Sequence, residues 1–117
     1  MTRMALESFS VRSERTGPVH RITPTGELDM ATVPMLEREY DAAYALDETT
    51  TIVIDLTELE FMDSTGLRLL LELNDRSADR LRVVNGSPEV QRLFDITGVR
   101  DVLPVINKND DPLAPLG

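Results

Sequence analysis

Thr51-Ile52-Val53-Ile54-Asp55-Leu56-Thr57-Glu58-Leu59-Glu60-Phe61-Met62-Asp63-Ser64-Thr65-Gly66-Leu67-Arg68-Leu69-Leu70-Leu71-Glu72-Leu73 joins two apolar runs of different kinds. The first, Thr51 to Leu56, is β-branched and apolar without alternation. That is how a strand reads when it is covered on both faces or stands at the centre of a sheet. Thr57–Glu60 reads as a polar connection. The second run, from Leu67 to about Ser77, reads as a helix. Leu67, Leu70, Leu71 and Asn74 share one face, and Leu69 and Leu73 lie on another. The helix is therefore apolar over more surface than a half-buried helix needs. Burial of Leu69 and Leu73 beneath a third helix explains the excess, and a partner groove is the alternative. At the handover from strand to helix stands a polar tetrapeptide, Asp63-Ser64-Thr65-Gly66.

Upstream of this stretch, Phe9 and Val11 alternate with Ser8, Ser10 and Arg12, as in a strand with one buried face. Arg15-Thr16-Gly17-Pro18 signals a turn, and Val19 to Thr23 the return strand, so residues 8–24 read as a hairpin. Pro24 cannot donate to a ladder, which predicts that the strand ends there or lies on an edge. Gly26-Glu27-Leu28-Asp29 reads as a loop into a helix capped by Thr32, with Pro34 close behind, ending near Asp47. Downstream, Leu81–Val84 reads as a strand. Ser87-Pro88-Glu89 opens a short helix over Val90, Leu93 and Phe94, and Gly98 terminates it. Val102 to Ile106 reads as a last edge strand.

Strands alternating with helices predict an α/β fold. It is a mixed β-sheet with an N-terminal antiparallel hairpin, parallel βαβ units, and helices packed mainly on one face. The chain has 117 residues, enough for one domain, placed at 8–106. Residues 1–7 read as a flexible N-terminus and 107–117 as a mobile C-terminal tail.

Composition narrows the chemistry. Twelve Lys and Arg against 21 Asp and Glu give a net charge of -9, which disfavours nucleic acid and anionic membranes as partners. The absence of cysteine removes disulfides, thiolate nucleophiles and cysteine-based metal sites. No signal peptide or membrane-spanning run is legible, so a cytoplasmic protein is expected.

The tetrapeptide has two compatible readings. Asp, Ser and Thr all cap helices, and Gly relaxes a tight entry. Equally, a hydroxyl at a helix N-terminus, at the carboxyl end of a strand, stands where ligands and phosphates collect in α/β folds. A catalytic Ser64 would need a base. His20 is the sole imidazole, it falls in the opening hairpin, and the Gly-x-Ser-x-Gly elbow is missing because residue 62 is Met. An enzyme is not expected. A receiver domain phosphorylated on Asp55 lacks the acidic pair after the first strand. Asp29, Asp55 and Asp63 could approach one another and hold Mg²⁺, which the sequence does not establish. No metal or cofactor is assigned.

Leu59-Glu60-Phe61-Met62-Asp63-Ser64-Thr65-Gly66-Leu67 resembles the phosphorylation-site motif of the anti-sigma factor antagonists, which are STAS-domain proteins. Gly26-Glu27-Leu28-Asp29 is similar to that family's first loop, and Val90–Gly98 to its late helix and turn. The resemblance covers about residues 8–106. It implies a partner-switching protein without enzymatic activity of its own. The unphosphorylated form would bind an anti-sigma factor that is also a serine kinase with an ATPase fold, and so free the sigma factor. Phosphorylation of Ser64 would block binding, and a metal-dependent serine phosphatase would reverse it. ATP and Mg²⁺ would belong to the kinase. Thr65 is the adjacent competitor for the phosphate. By the same resemblance Asp63, Thr65, Gly66 and Leu67, with Gly26, Glu27 and Asp29 as a neighbouring rim, would meet the partner. The alternative is a STAS scaffold without a switch, or a subunit of another signalling or transport complex.

Overall fold

A computed structural model describes residues 5–6, 9–46 and 49–115. In chain order it contains β1 (Ala5–Leu6), β2 (Phe9–Thr16), β3 (Val19–Leu28), α1 (Val33–Tyr44), β4 (Thr51–Asp55), β5 (Leu59–Met62), α2 (Ser64–Arg76), β6 (Leu81–Val84), α3 (Pro88–Thr97) and β7 (Val105–Ile106), with a 3-10 turn at Val99–Asp101 before β7. The strands form one sheet in the order β1-β2-β3-β4-β6-β7, and β5 also pairs with β3. β1, β2 and β3 are antiparallel neighbours, and the remaining pairings are parallel. The fold is the mixed α/β sheet that the alternation of elements predicted.

The helices share one face of this sheet. Ile22, Ile52, Ile54, Leu81 and Val83 join the same core as Leu36, Tyr40, Leu70 and Phe94 from the three helices. Val53 and Val84 are fully buried yet lie outside that core, on the opposite face. In register Val53 stands between Arg21 and Arg82. Arg21 reaches Asp55 at 2.6 Å, and Arg82 binds the Asp79 and Leu81 carbonyls. The aliphatic stems of the two arginines flank the valine while their heads find polar partners. This explains why Thr51–Asp55 is buried at every position and has no polar alternation.

Four expectations are corrected. β3 does not end at Pro24 but continues to Leu28, so Gly26-Glu27-Leu28 is strand, not loop. Pro24 is tolerated because β3 pairs with β4 through Ile22 and with β5 from Gly26 on. Its missing N–H falls where the partner changes. Second, Leu59–Met62, whose first half was read as connection, is the short strand β5. Third, α2 begins at Ser64 rather than Leu67. Fourth, α1 ends at Tyr44; the expected end at Asp47 lies outside the described residues.

Ala5–Leu6 extend the edge of β2, a pairing the composition did not announce. The other residues of 1–7 lie outside the described set. In the C-terminal segment, Asn107 and Asp110 close a turn. Asp111, Pro112 and Leu113 line a groove with Glu14, Thr16, Pro18, Val19 and Arg21 of the hairpin. Leu69 and Leu73 are buried at 2% and 0% exposure. α1 meets this side of α2 through Tyr40, whose hydroxyl reaches Ser77 and the Leu73 carbonyl. No open groove is left there. Among the described residues, no helix is long and apolar enough to cross a membrane.

Candidate functional site

The site is built where β3 and β5 end together. Leu28 pairs with Met62, and the Asp63 amide donates to the Leu28 carbonyl at 3.2 Å. One strand then turns into the loop before α1, the other directly into α2.

Asp63 takes extended backbone and caps α2. Its Oδ1 accepts from the amides of Thr65 at 2.9 Å and Gly66 at 3.2 Å. The Leu67 amide bonds the Asp63 carbonyl. The cap is therefore Asp63 alone, and Ser64 and Thr65 are not needed for it. Ser64, the first helical residue, is exposed, and its hydroxyl has no hydrogen-bond partner among the described residues. Gly66 lets the first turn press onto the sheet: a Cβ there would lie 2.8 Å from Met62 Cγ and 2.9 Å from Leu28 Cγ.

The neighbouring loop is also polar and tightly bonded. Asp29 Oδ1 accepts from the Ala31 and Thr32 amides at 3.0 and 3.2 Å. Thr32, buried at 4% exposure, donates to the Glu27 carbonyl at 2.8 Å and accepts from the Asp29 amide at 2.9 Å. Thr32 makes no side-chain cap of α1. The capping predicted for Thr32 is not made, because its hydroxyl is already committed to the end of β3; the Val33 amide at the start of α1 bonds the Asp29 carbonyl at 2.9 Å.

The expected partner-facing residues fall at different depths. Ser64 and Glu27 are exposed; Asp63, Thr65 and Asp29 are half-buried. Gly26, Gly66 and Leu67 are buried. Leu67 joins the core: helical periodicity turns it, with Leu70, toward the sheet. Gly26 adopts a φ of 106° at the register shift between β3 and β5, and so shapes the rim from below. Reasoning from sequence missed two exposed apolar residues at this end of the sheet, Met30 and Phe61. Met30 lies in the loop before α1, where a large apolar residue beside Asp29 was the available signal.

His20 is not part of the site. It lies near the start of β3, and the run to Leu28, at about 3.3 Å per residue, places it about 26 Å away. Its Nδ1 is buried without a partner. Burial, and then the charge of Arg15, hold its pKa below the usual histidine value. Asp55 is engaged elsewhere too, by Arg21 and by the Thr57 amide and hydroxyl. Burial pushes its carboxyl up, but those hydrogen bonds outweigh it and hold the pKa below the ordinary value. Asp29 and Asp63 spend Oδ1 on backbone amides. Among the described residues no group of His and acidic side chains is arranged to hold a metal ion.

An exposed serine, with no imidazole beside it, thus stands at the start of α2 on a strand-to-helix turn that Asp63 caps. The STAS domain family matches residues 10–111. An anti-sigma-B factor antagonist of Staphylococcus aureus is 39% identical over 101 residues, covering 84% of this chain and 93% of that one. The crystal structure of an anti-sigma factor antagonist from Mycobacterium paratuberculosis matches with a TM-score of 0.81 at 32% identity, over 93% of this chain and 94% of that one. The phosphorylated form of the Bacillus cell-fate determinant SpoIIAA matches with a TM-score of 0.62 at 26% identity, over 84% and 92%. This chain belongs to the STAS-domain family, among the anti-sigma factor antagonists.

Proposed function

We propose that this protein antagonises an anti-sigma factor in the cytoplasm and is switched at Ser64. In its unphosphorylated form it binds an anti-sigma factor that is also a serine kinase of ATPase fold, and the sigma factor is released. The kinase then transfers the γ-phosphoryl group of ATP to Ser64 Oγ. ADP departs, and the hydroxyl proton passes to a base of the kinase. A serine phosphatase restores the hydroxyl with water and frees inorganic phosphate.

The observation that carries this reading is the division of labour at the helix start. Asp63 satisfies the two amides of the first turn, and the Ser64 hydroxyl is left exposed and unbonded. Modification therefore breaks nothing in the domain. A phosphate adds ~1.5–2 negative charges at pH 7, taking a net charge of -9 to about -11. It acts at the interface, by bulk and by the cost of desolvating charge against the partner. A tenfold loss of affinity needs only about 1.4 kcal/mol. The names of the staphylococcal and mycobacterial relatives support the antagonist role. The SpoIIAA match supports a fold that accommodates the phosphate.

The test uses three baits in a native lysate, the parent, Ser64→Ala and Ser64→Glu, each with ADP or ATP. Retention of an ATPase-fold protein by Ser64→Ala, and its loss with Ser64→Glu, is the expected result. Identical retention by all three overturns the switch and leaves a constitutive scaffold.

A further inference from the structure

β5 contains a bulge. Leu59 pairs with Gly26 and Phe61 with Glu27, so Glu60 and Phe61 together oppose one residue of β3. Under simple alternation Phe61 would follow Leu59 into the core and Met62 would face out. The bulge reverses this: Glu60 and Phe61 both face out, Met62 returns to the core at 5% exposure, and Gly26 absorbs the irregularity at positive φ. The other two phenylalanines, Phe9 and Phe94, are 3% and 0% exposed, whereas Phe61 is 46% exposed. Met30, at 77%, is as far beyond Leu28 as Ser64 is beyond Met62, and Leu28 and Met62 are paired. Phe61, Met30 and Ser64 therefore crown one end of the sheet. The exposed side chains beside them, Glu27 and Glu60, are acidic. The nearest basic side chain on α2, Arg68, lies one turn further along.

We propose that Phe61 and Met30 are the apolar anchors by which this domain seats a protein partner over Ser64. The partner's complementary surface is an apolar pocket bordered by Lys or Arg. A bulge that re-aims one side chain beside a functional residue is a device rather than a defect. A few desolvated apolar anchors carry most of the affinity of an interface, and the acidic border sets approach and register. The identification of these anchors rests on the function proposed above. The phosphate, placed at the rim of the same patch, keeps the anchors from being covered.

The test measures binding by calorimetry. The probe is the purified ATPase-fold protein that Ser64→Ala retains and Ser64→Glu loses, with ADP present. Met30→Ser and Phe61→Ser each weaken binding at least tenfold, while Phe61→Leu weakens it less than Phe61→Ser does. Raising salt from 50 to 500 mM weakens the parent. Melting curves of Met30→Ser and Phe61→Leu, which overlie the parent's, keep the result readable if Phe61→Ser folds poorly. Binding within threefold of the parent for both Met30→Ser and Phe61→Leu, with Ser64→Glu still defective, overturns the anchors and leaves the switch standing. If no Ser64-dependent protein is retained at all, switch and anchors fall together. If sedimentation of the chain alone shows a dimer that Phe61→Ser abolishes, the occupant is a second copy and the proposal is overturned.

Discussion

At the scale of single residues, each member of the Asp63-Ser64-Thr65-Gly66 turn has a separable task. Asp63 bonds two amides, so Asp63→Ala costs about 1 kcal/mol of stability, as lost N-caps do. Gly66→Ala is worse for a different reason. The added methyl meets Met62 Cγ at 2.8 Å and Leu28 Cγ at 2.9 Å, and overpacking of that kind costs about 1–3 kcal/mol. Urea unfolding of both variants checks the order. Ser64→Glu behaves oppositely. The helix dipole favours its charge, the Asp63 carboxylate opposes it, and the net change stays within about 1 kcal/mol. A thermal melt of Ser64→Glu much below the parent's would show that the site is structural. That this turn caps and opens a helix was legible in advance, because Asp, Ser and Thr before a leucine-rich run are capping residues. Their division of labour was not: Ser, Thr and Asp all cap, and only coordinates tell which one accepts the amides.

At the scale of elements, the loop between β4 and β5 decides where the site lies. It is held where it leaves β4 by Arg21 of β3 on Asp55, the last residue of that strand, at 2.6 Å, and where it enters β5 by Arg12 of β2 on Glu58, at 2.9 Å. The second pair is exposed and contributes little. The first is mostly buried, with side-chain exposures of 28% and 7%. Asp55→Asn leaves Arg21 half-buried without its countercharge and costs about 2 kcal/mol at neutral pH, below the range for fully buried pairs. The pH dependence follows from the direction of the shift. The folded pKa of Asp55 lies below the ordinary aspartate value, so between the two the unfolded chain binds more protons. Stability from this group is fully present above the unfolded value and is lost as pH falls through the lower, folded one. The stability curves of parent and Asp55→Asn accordingly converge as acid is added, which denaturant titrations between pH 2 and 6 check. The short strand β5 escaped the sequence reading because its bulge breaks the period of two, and Pro24 concealed the far half of β3 for a related reason. Both are irregularities that one strand tolerates only because another stands beside it. Ser87, Pro88 and Gly98, by contrast, bound α3 as read, since caps and stops are local chemistry.

At the scale of the whole molecule, a net charge of -9 opposes compaction. Screening relieves more repulsion than it removes from the exposed pairs. Moving from low salt to about 0.5 M therefore stabilises the fold by about 1 kcal/mol, about 4 °C in Tm; calorimetry at several salt concentrations measures it. The same charge makes association with a basic partner faster at low salt, so stability and partner binding respond to salt in opposite directions.

The sequence alone determined the hairpin, the alternation of the longer strands with helices, and the placing of Ser64 at a helix start. Each of these depends on neighbours within a turn or a strand, where periodicity, caps and breakers act. Tertiary structure alone decided which side chains are accessible. It drew Leu67 into the core, committed Thr32 to β3 instead of α1, and turned Phe61 outward. Those outcomes depend on pairing between segments distant in sequence, where burial and register are set by whichever surface arrives opposite, and no local pattern encodes that.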